Sequence, residues 1–153
     1  MRVEVGLDMT ERSEVIDEML QTAKTIAVVG ISNKPERASF HIATYLAKHG
    51  YRVVAVNPAL SEVAINGTVL TSYPALEDAQ AALAVEGAKI DLVDVFRASE
   101  HVPPIVDDVI RLRIPYLWLQ DGVQDDAAVA RAEAAGVKCI QNDCIFREHA
   151  ARV

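Results

Sequence analysis

Residues 25–57 read TIAVVGISNKPERASFHIATYLAKHGYRVVAVN, and this stretch decides the fold. Thr25-Ile-Ala-Val-Val-Gly30 is a short run of mostly β-branched residues ending in glycine. A strand that is apolar on both faces belongs in the interior of a parallel sheet. A helix is predicted from about Ser39 to His49, closed by Gly50 as its C′ residue. Arg52-Val-Val-Ala-Val-Asn57 then forms a second buried strand, stopped by Pro58. Strand, loop, helix and strand in this order make a right-handed crossover unit.

The alternation continues downstream. Ile90 to Phe96 is predicted as a third strand, Val102 to Arg113 as a helix, and Tyr116 to Gln120 as a fourth strand. Pro103 and Pro104 fall in the first turn of that helix, where a missing N–H costs little. Asp125 to Ala135 is an alanine-rich helix closed by Gly136, Val137 to Ile140 a fifth strand, and a short helix ends the chain. Between the second and third strands, Ile65-Asn-Gly-Thr68 reads as a tight turn and Leu76 to Gly87 as a weaker helix. Upstream, Thr10 is expected to cap a helix running to about Ala23, with Val15, Ile16, Met19 and Leu20 on one face. The expectation is an α/β chain: one Rossmann-like, doubly wound domain over residues 1–153, with 1–23 as a helical extension. Its five-stranded, mainly parallel sheet is expected in the order 3-2-1-4-5 by analogy, with helices on both faces.

Composition narrows the function classes. A chain of 153 residues buries roughly 68–70% of its unfolded surface and needs no disulfide or metal staple. The formal charge of -7 argues against nucleic acid, because phosphate backbones attract basic faces. A small phosphorylated ligand stays possible, since a few cations in one loop can outweigh a distant acidic surface. Cys139 and Cys144 match neither a redox pair nor a zinc motif and read as small buried hydrophobes. The start, MRVEVGLDMTERSE, is too acidic for a signal peptide, and no apolar run approaches the ~20 residues of a membrane span. A cytoplasmic protein without membrane contact is expected.

In an open parallel sheet, ligands bind beyond the carboxyl ends of the strands, where the strand order reverses. The first such loop runs from Gly30 through Ile31, Ser32, Lys34 and Arg37 to Ser39. Gly30 permits a sharp turn and close approach, Ser32 offers a hydroxyl, and Lys34 and Arg37 add two cations. The following helix aims its N-terminal N–H groups at the same place. Ser39 either caps that helix or bonds a phosphate oxygen. The dinucleotide pattern G-x-G-x-x-G is absent, and the second strand ends in Asn57-Pro58 where a nicotinamide site needs an acid for the ribose diol. Asn57 could instead bond an adenine or ribose edge. The third strand ends in Val95-Phe96-Arg97, an apolar wall followed by a candidate phosphate clamp. After the fourth strand, Gln120 is placed to bond a ligand amide or hydroxyl, and Gly122 to let backbone N–H groups approach it.

These residues fall in blocks that resemble a known family. The blocks are Ile26-Ala-Val-Val-Gly-Ile-Ser32 with Arg37 and Ser39, Gly50 to Pro58, Asp94-Val-Phe-Arg97 with Ser99-Glu100 and Val102-Pro-Pro104, Trp118-Leu-Gln120 with Gly122, and Asp143-Cys-Ile145 with Glu148-His149. Together they are similar to the small stand-alone CoA-binding proteins, and to the CoA-binding domain of the succinyl-CoA synthetase α subunit. The resemblance covers nearly the whole chain from about residue 13. It implies that the first loop holds the nucleotide and pyrophosphate of coenzyme A or an acyl-CoA, with Gly30, Ser32, Arg37 and Ser39 matching the family's phosphate loop; Ile31 and Lys34 of the same loop are candidate contacts beside them. It also implies that Asn57 and Pro58 form the second-strand turn, and that Val95, Phe96, Arg97, Gln120 and Gly122 line the pantetheine. Ala38 departs from the family, which commonly carries proline there, and Ala79 to Lys89 looks longer than usual.

No catalytic constellation is visible. His41, His49, His101 and His149 have no nucleophile placed beside them by sequence, and only His101 falls near the expected crevice. Three readings stand: a non-catalytic CoA or acyl-CoA carrier, sensor or partner subunit; an NAD(H)-binding oxidoreductase or redox sensor on the same fold; and a regulatory subunit with a vestigial crevice and an unknown protein partner.

Overall fold

The computed structural model describes residues 7–153. Residues 1–6, on which the signal-peptide reading partly rests, lie outside the described residues. Helix α1 spans Met9–Thr22 and is capped by Asp8, whose carboxylate accepts the Glu11 N–H at 2.8 Å. The cap is therefore two residues upstream of Thr10, which lies inside the first turn. Ile16, Met19 and Leu20 are the buried face, as the periodicity predicts.

The remaining elements are β1 (Thr25–Val29), α2 (Ala38–Lys48), β2 (Arg52–Val56), β3 (Glu62–Ile65), β4 (Thr68–Tyr73), α3 (Leu76–Val85) and β5 (Leu92–Val95). A single 3₁₀ turn, Ser99–His101, then leads into α4 (Val102–Arg111), followed by β6 (Tyr116–Leu119), α5 (Asp126–Ala134), β7 (Lys138–Ile140) and α6 (Ile145–Ala150). Each predicted strand and helix is present within a few residues of its expected bounds.

The sheet has seven strands, not five, in the order β3-β4-β2-β1-β5-β6-β7. All neighbours are parallel except β3 and β4, which pair antiparallel. The expected order placed Ile90–Phe96 beyond the second strand; β5 instead pairs with β1 on the side away from β2. The place beyond β2 belongs to β4, which the sequence reading did not identify. The hairpin joining β3 to β4 turns through Asn66 (φ 51°) and Gly67 (φ 78°). Two left-handed residues in succession make the turn whose twist matches the flanking strands.

Side chains alternate across the sheet and fill two cores. Ala27, Val29, Val93, Val95, Leu117 and Leu119 pack beneath α3, α4 and α5. Ile26, Val28, Leu92 and Trp118 pack beneath α1, α2 and α6. Trp118 is fully buried, and its indole N–H donates to the carbonyl of Asp143 at 2.9 Å. On that second face Asp94 lies in register between Val28 and Trp118. It is 0% exposed, and neither carboxyl oxygen has a hydrogen-bond partner among the described residues. Burial pushes its carboxyl well above the ordinary range.

Cys139 and Cys144 are buried free thiols, and burial, helped by Glu133, pushes Cys139 up to about 12. Such a thiol is inert, as the sequence reading expects. No helix among the described residues is long and apolar enough to cross a membrane.

Candidate functional site

A crevice opens where the carboxyl ends of β1, β2, β4 and β5 meet, and it consists of two adjoining cavities. The smaller, about 380 Å³, is lined by Gly30, Ser32, Lys34, Arg37, Ala38, Ser39 and Phe96. The larger, about 590 Å³, is lined by Val29, Gly30, Asn57, Pro58, Phe96 and Arg97, and by residues after β4 and on α4. Gly30 and Phe96 belong to both and form the sill between them.

The first loop is ordered by its own serines. The Ser32 N–H donates to Ser39 Oγ at 2.9 Å, and Ser32 Oγ accepts the Lys34 N–H at 3.0 Å. Ser39 therefore binds the loop, not the helix end. Arg37 takes the N-cap position of α2 in an extended conformation, and no side chain caps the helix. The first N–H groups of α2 are thus left facing the smaller cavity with the positive end of the helix dipole.

Gly30 has φ +86°, and a β-carbon there would stand 2.9 Å from the Phe96 carbonyl oxygen and 3.0 Å from Arg97 Cδ. The sharp turn expected at Gly30 is present, and the missing side chain also serves the chain's own packing. The space beside its Cα is filled by the β5–α4 loop, so the glycine seats Arg97 over the end of β1.

Charge is distributed unevenly. Arg12, Arg52, Arg111, Arg131, Arg147 and Arg152 each pair with a carboxylate. The side chains of Lys34, Arg37 and Arg97 form no ion pair or hydrogen bond with the described residues, and all three line the crevice. Lys24, Lys89 and Arg113, which precede β1, β5 and β6, and Lys48 at the end of α2 are also unpaired among the described residues, but none of them lines the crevice.

Other predicted site residues are braces. Asn57 donates from Nδ2 to the Ile31 carbonyl at 2.7 Å, accepts the Ala59 N–H at 2.8 Å, and receives the Ser72 hydroxyl on its own carbonyl. Its amide ties the β1–α2 loop to the β2 turn and has little left for another partner. Gln120 is buried and accepts the Ile145 N–H at 3.1 Å. The Gly122 N–H, expected to meet a ligand, donates instead to Asn142 Oδ1 at 2.8 Å. Ile31 and Val95 are fully buried in the core. Ile31, Val95, Gln120 and Gly122 line neither cavity.

The larger cavity has a wall that the sequence reading missed: Pro74, Ala75 and Leu76 after β4, and Pro104, Ile105 and Asp108 on α4. Pro74 sits just beyond the carboxyl end of β4, so the same strand-end rule would have found it had β4 been recognised. His101 also lines this cavity, the placement expected of it.

Ala38 is the first residue of α2, and Arg37 before it has φ -81° and ψ 143°. Both conformations suit a proline at 38. Ala38→Pro should stabilise the fold by about 0.4–1 kcal/mol, seen as a rise of roughly 1–4 °C in thermal melts. A fall would mean that the Ala38 N–H already has a partner.

The family model for the CoA binding domain matches residues 24–150. YneT of Bacillus subtilis (strain 168) is 31% identical over 135 residues, covering 88% of this chain and 92% of that one. A hypothetical protein from Pyrococcus horikoshii OT3 superposes with a TM-score of 0.81 at 32% identity, covering 99% of this chain and 96% of that one. The structure of cell-free ID.343 from Thermus thermophilus has a TM-score of 0.78 at 27% identity, covering 92% and 98%.

Proposed function

Since the chain belongs to the CoA binding domain family, we propose that it binds coenzyme A or an acyl-CoA in the two-chambered crevice and does no chemistry on it. The observation that carries this reading is the set of unpaired cations, Lys34, Arg37 and Arg97, gathered beside an uncapped helix N-terminus on a protein of net charge -7. Coenzyme A brings about four negative charges, counting ~1.5 to 2 on its phosphomonoester. The basic chamber suits the phosphates, and the larger chamber, walled by Val29, Val56, Pro58, Leu76 and Ile105, suits an apolar or aromatic part of the ligand. Against a nicotinamide cofactor stands Asn57, which occupies the ribose-binding position with an amide already spent on Ile31 and Ala59. A carrier, sensor or partner subunit in the cytoplasm is the role that fits a binding site without a reactive pair.

The test is a melting screen against CoA, short acyl-CoAs and NADH. Ligand at ~100 times its dissociation constant should add ~2.7 kcal/mol, a shift of roughly 5–10 °C. Arg37→Ala and Arg97→Ala should each weaken CoA by about 10- to 100-fold, the worth of one charged hydrogen bond. No shift with CoA or acyl-CoA at millimolar concentration, or a shift with NADH alone, would overturn the reading.

A further inference from the structure

Glu148-His149, part of a block of the resemblance that lines neither cavity, lies on α6 where that helix packs against α2. His149 Nδ1 is 2.7 Å from the Tyr45 hydroxyl. His49 Nδ1 donates to the Tyr45 carbonyl at 2.8 Å, and the Tyr45 ring stacks on the His49 ring at 4.0 Å. Phe146 closes the contact edge-on to Tyr45 at 4.5 Å. The two imidazoles stand with centroids 5.1 Å apart. A carbonyl only accepts, so His49 keeps its proton on Nδ1.

The surroundings offer His149 no negative charge to offset a second proton. From α2 it faces Tyr45 and His49, and from the loop before β2 it faces Tyr51, whose hydroxyl is held by the Leu20 carbonyl of α1. On its own helix Glu148 is paired with Arg152, which also binds Asp17 and Ser13 of α1. We propose that the α2–α6 contact is an acid-released clasp, closed while the His149 ring is neutral and opened when that ring takes up a second proton beside His49.

Burial, and then the neighbouring His49, hold the His149 imidazole below its ordinary value. The freed helix therefore binds the proton better than the docked one. Docking is complete above the ordinary imidazole range and weakens as pH falls through it. Release would reach further than α6. The Ile145 N–H that anchors Gln120 and the Arg147 pair with Asp121 both hang on this helix, and both steady the loop after β6.

The experiment is amide exchange and imidazole NMR from about pH 7.5 to about pH 5.5, spanning the ordinary imidazole pKa. Corrected for intrinsic exchange, protection of residues 147–150 should fall by up to roughly tenfold per pH unit, the limit for one linked proton. Amides of β1 and β5 serve as the internal reference and should not follow. In His49→Gln the His149 titration should move up and α6 should stay protected to lower pH, while His149→Gln should make the protection pH-independent. The proposal is overturned if α6 protection is level across this range, or if His49→Gln leaves the His149 titration where it was.

Discussion

Replacing Gly30 with alanine should lower the melting temperature by roughly 4–20 °C, taking 2–4 °C for each kcal/mol at this chain length. Two independent costs add. The backbone at residue 30 is left-handed, φ +86°, which costs a side-chain-bearing residue about 1–2 kcal/mol. The new methyl would also press within 2.9 Å of the Phe96 carbonyl oxygen. Backbone cannot rotate aside as a flexible side chain can, and overpacking of this kind costs about 1–3 kcal/mol. The second contact, 3.0 Å from Arg97 Cδ, extends the effect to binding, because relief of the clash moves a cation of the crevice. Thermal melts and a CoA titration on the same sample check both effects. An alanine variant as stable as the parent would show that the loop over β1 yields freely.

The second large effect runs the other way. Asp94→Leu should raise the melting temperature at neutral pH by about 2–12 °C, since a buried polar group without a partner costs about 1–3 kcal/mol and leucine branches at the same carbon. The sign of its pH dependence is fixed by burial. The folded-state carboxyl is raised, so the unfolded chain releases its proton first as pH increases. Asp94 therefore contributes full stability only below the ordinary carboxyl value, and this is lost as pH rises through the window up to its raised value. The slope is ~1.4 kcal/mol per pH unit while the folded acid stays protonated. Melts of parent and variant at acidic and neutral pH give the difference directly, because every other group titrates in both. A leucine variant less stable than the parent at neutral pH would mean that the carboxyl meets a partner in solution.

The parts of the fold that the sequence makes most legible are short, mainly apolar runs, interrupted in β5 only by Asp94. Residues 25–29, 92–95 and 116–119 are buried along their whole length, so each reads as an interior strand. The hairpin of β3 and β4 escaped because it has no buried apolar run: β3 alternates exposed and buried residues, while in β4 Thr68, Val69 and Thr71 are exposed and Ser72 alone is buried. Its Asn66-Gly67 turn was visible, and an Asn-Gly pair between alternating residues is a hairpin signal as much as a turn signal. Missing that hairpin displaced the strand order and hid the Pro74 wall. At the site, the cations are legible because Lys34, Arg37 and Arg97 follow β1 and β5 at their carboxyl ends, where an open parallel sheet has its crevice. The bracing bonds of Asn57, Gln120 and Gly122 are not legible in the sequence because their partners, Ile31, Ile145 and Asn142, lie 20 or more residues away in the chain. Residue type at a strand end shows which atoms are offered; only the folded chain shows which are already taken.

The two borders of the sheet have a consequence of their own. One border is β3, four residues long and carrying Glu62 outward; the other is β7, three residues long and opening with an exposed Lys138. An unpaired border invites a stranger's strand in proportion to its length and flatness, and a charge upon it repels the visitor. The antiparallel hairpin thus does for the β2 side what brevity does for the β7 side, and concentrated solutions of the protein should stay free of fibrils seeded along the sheet.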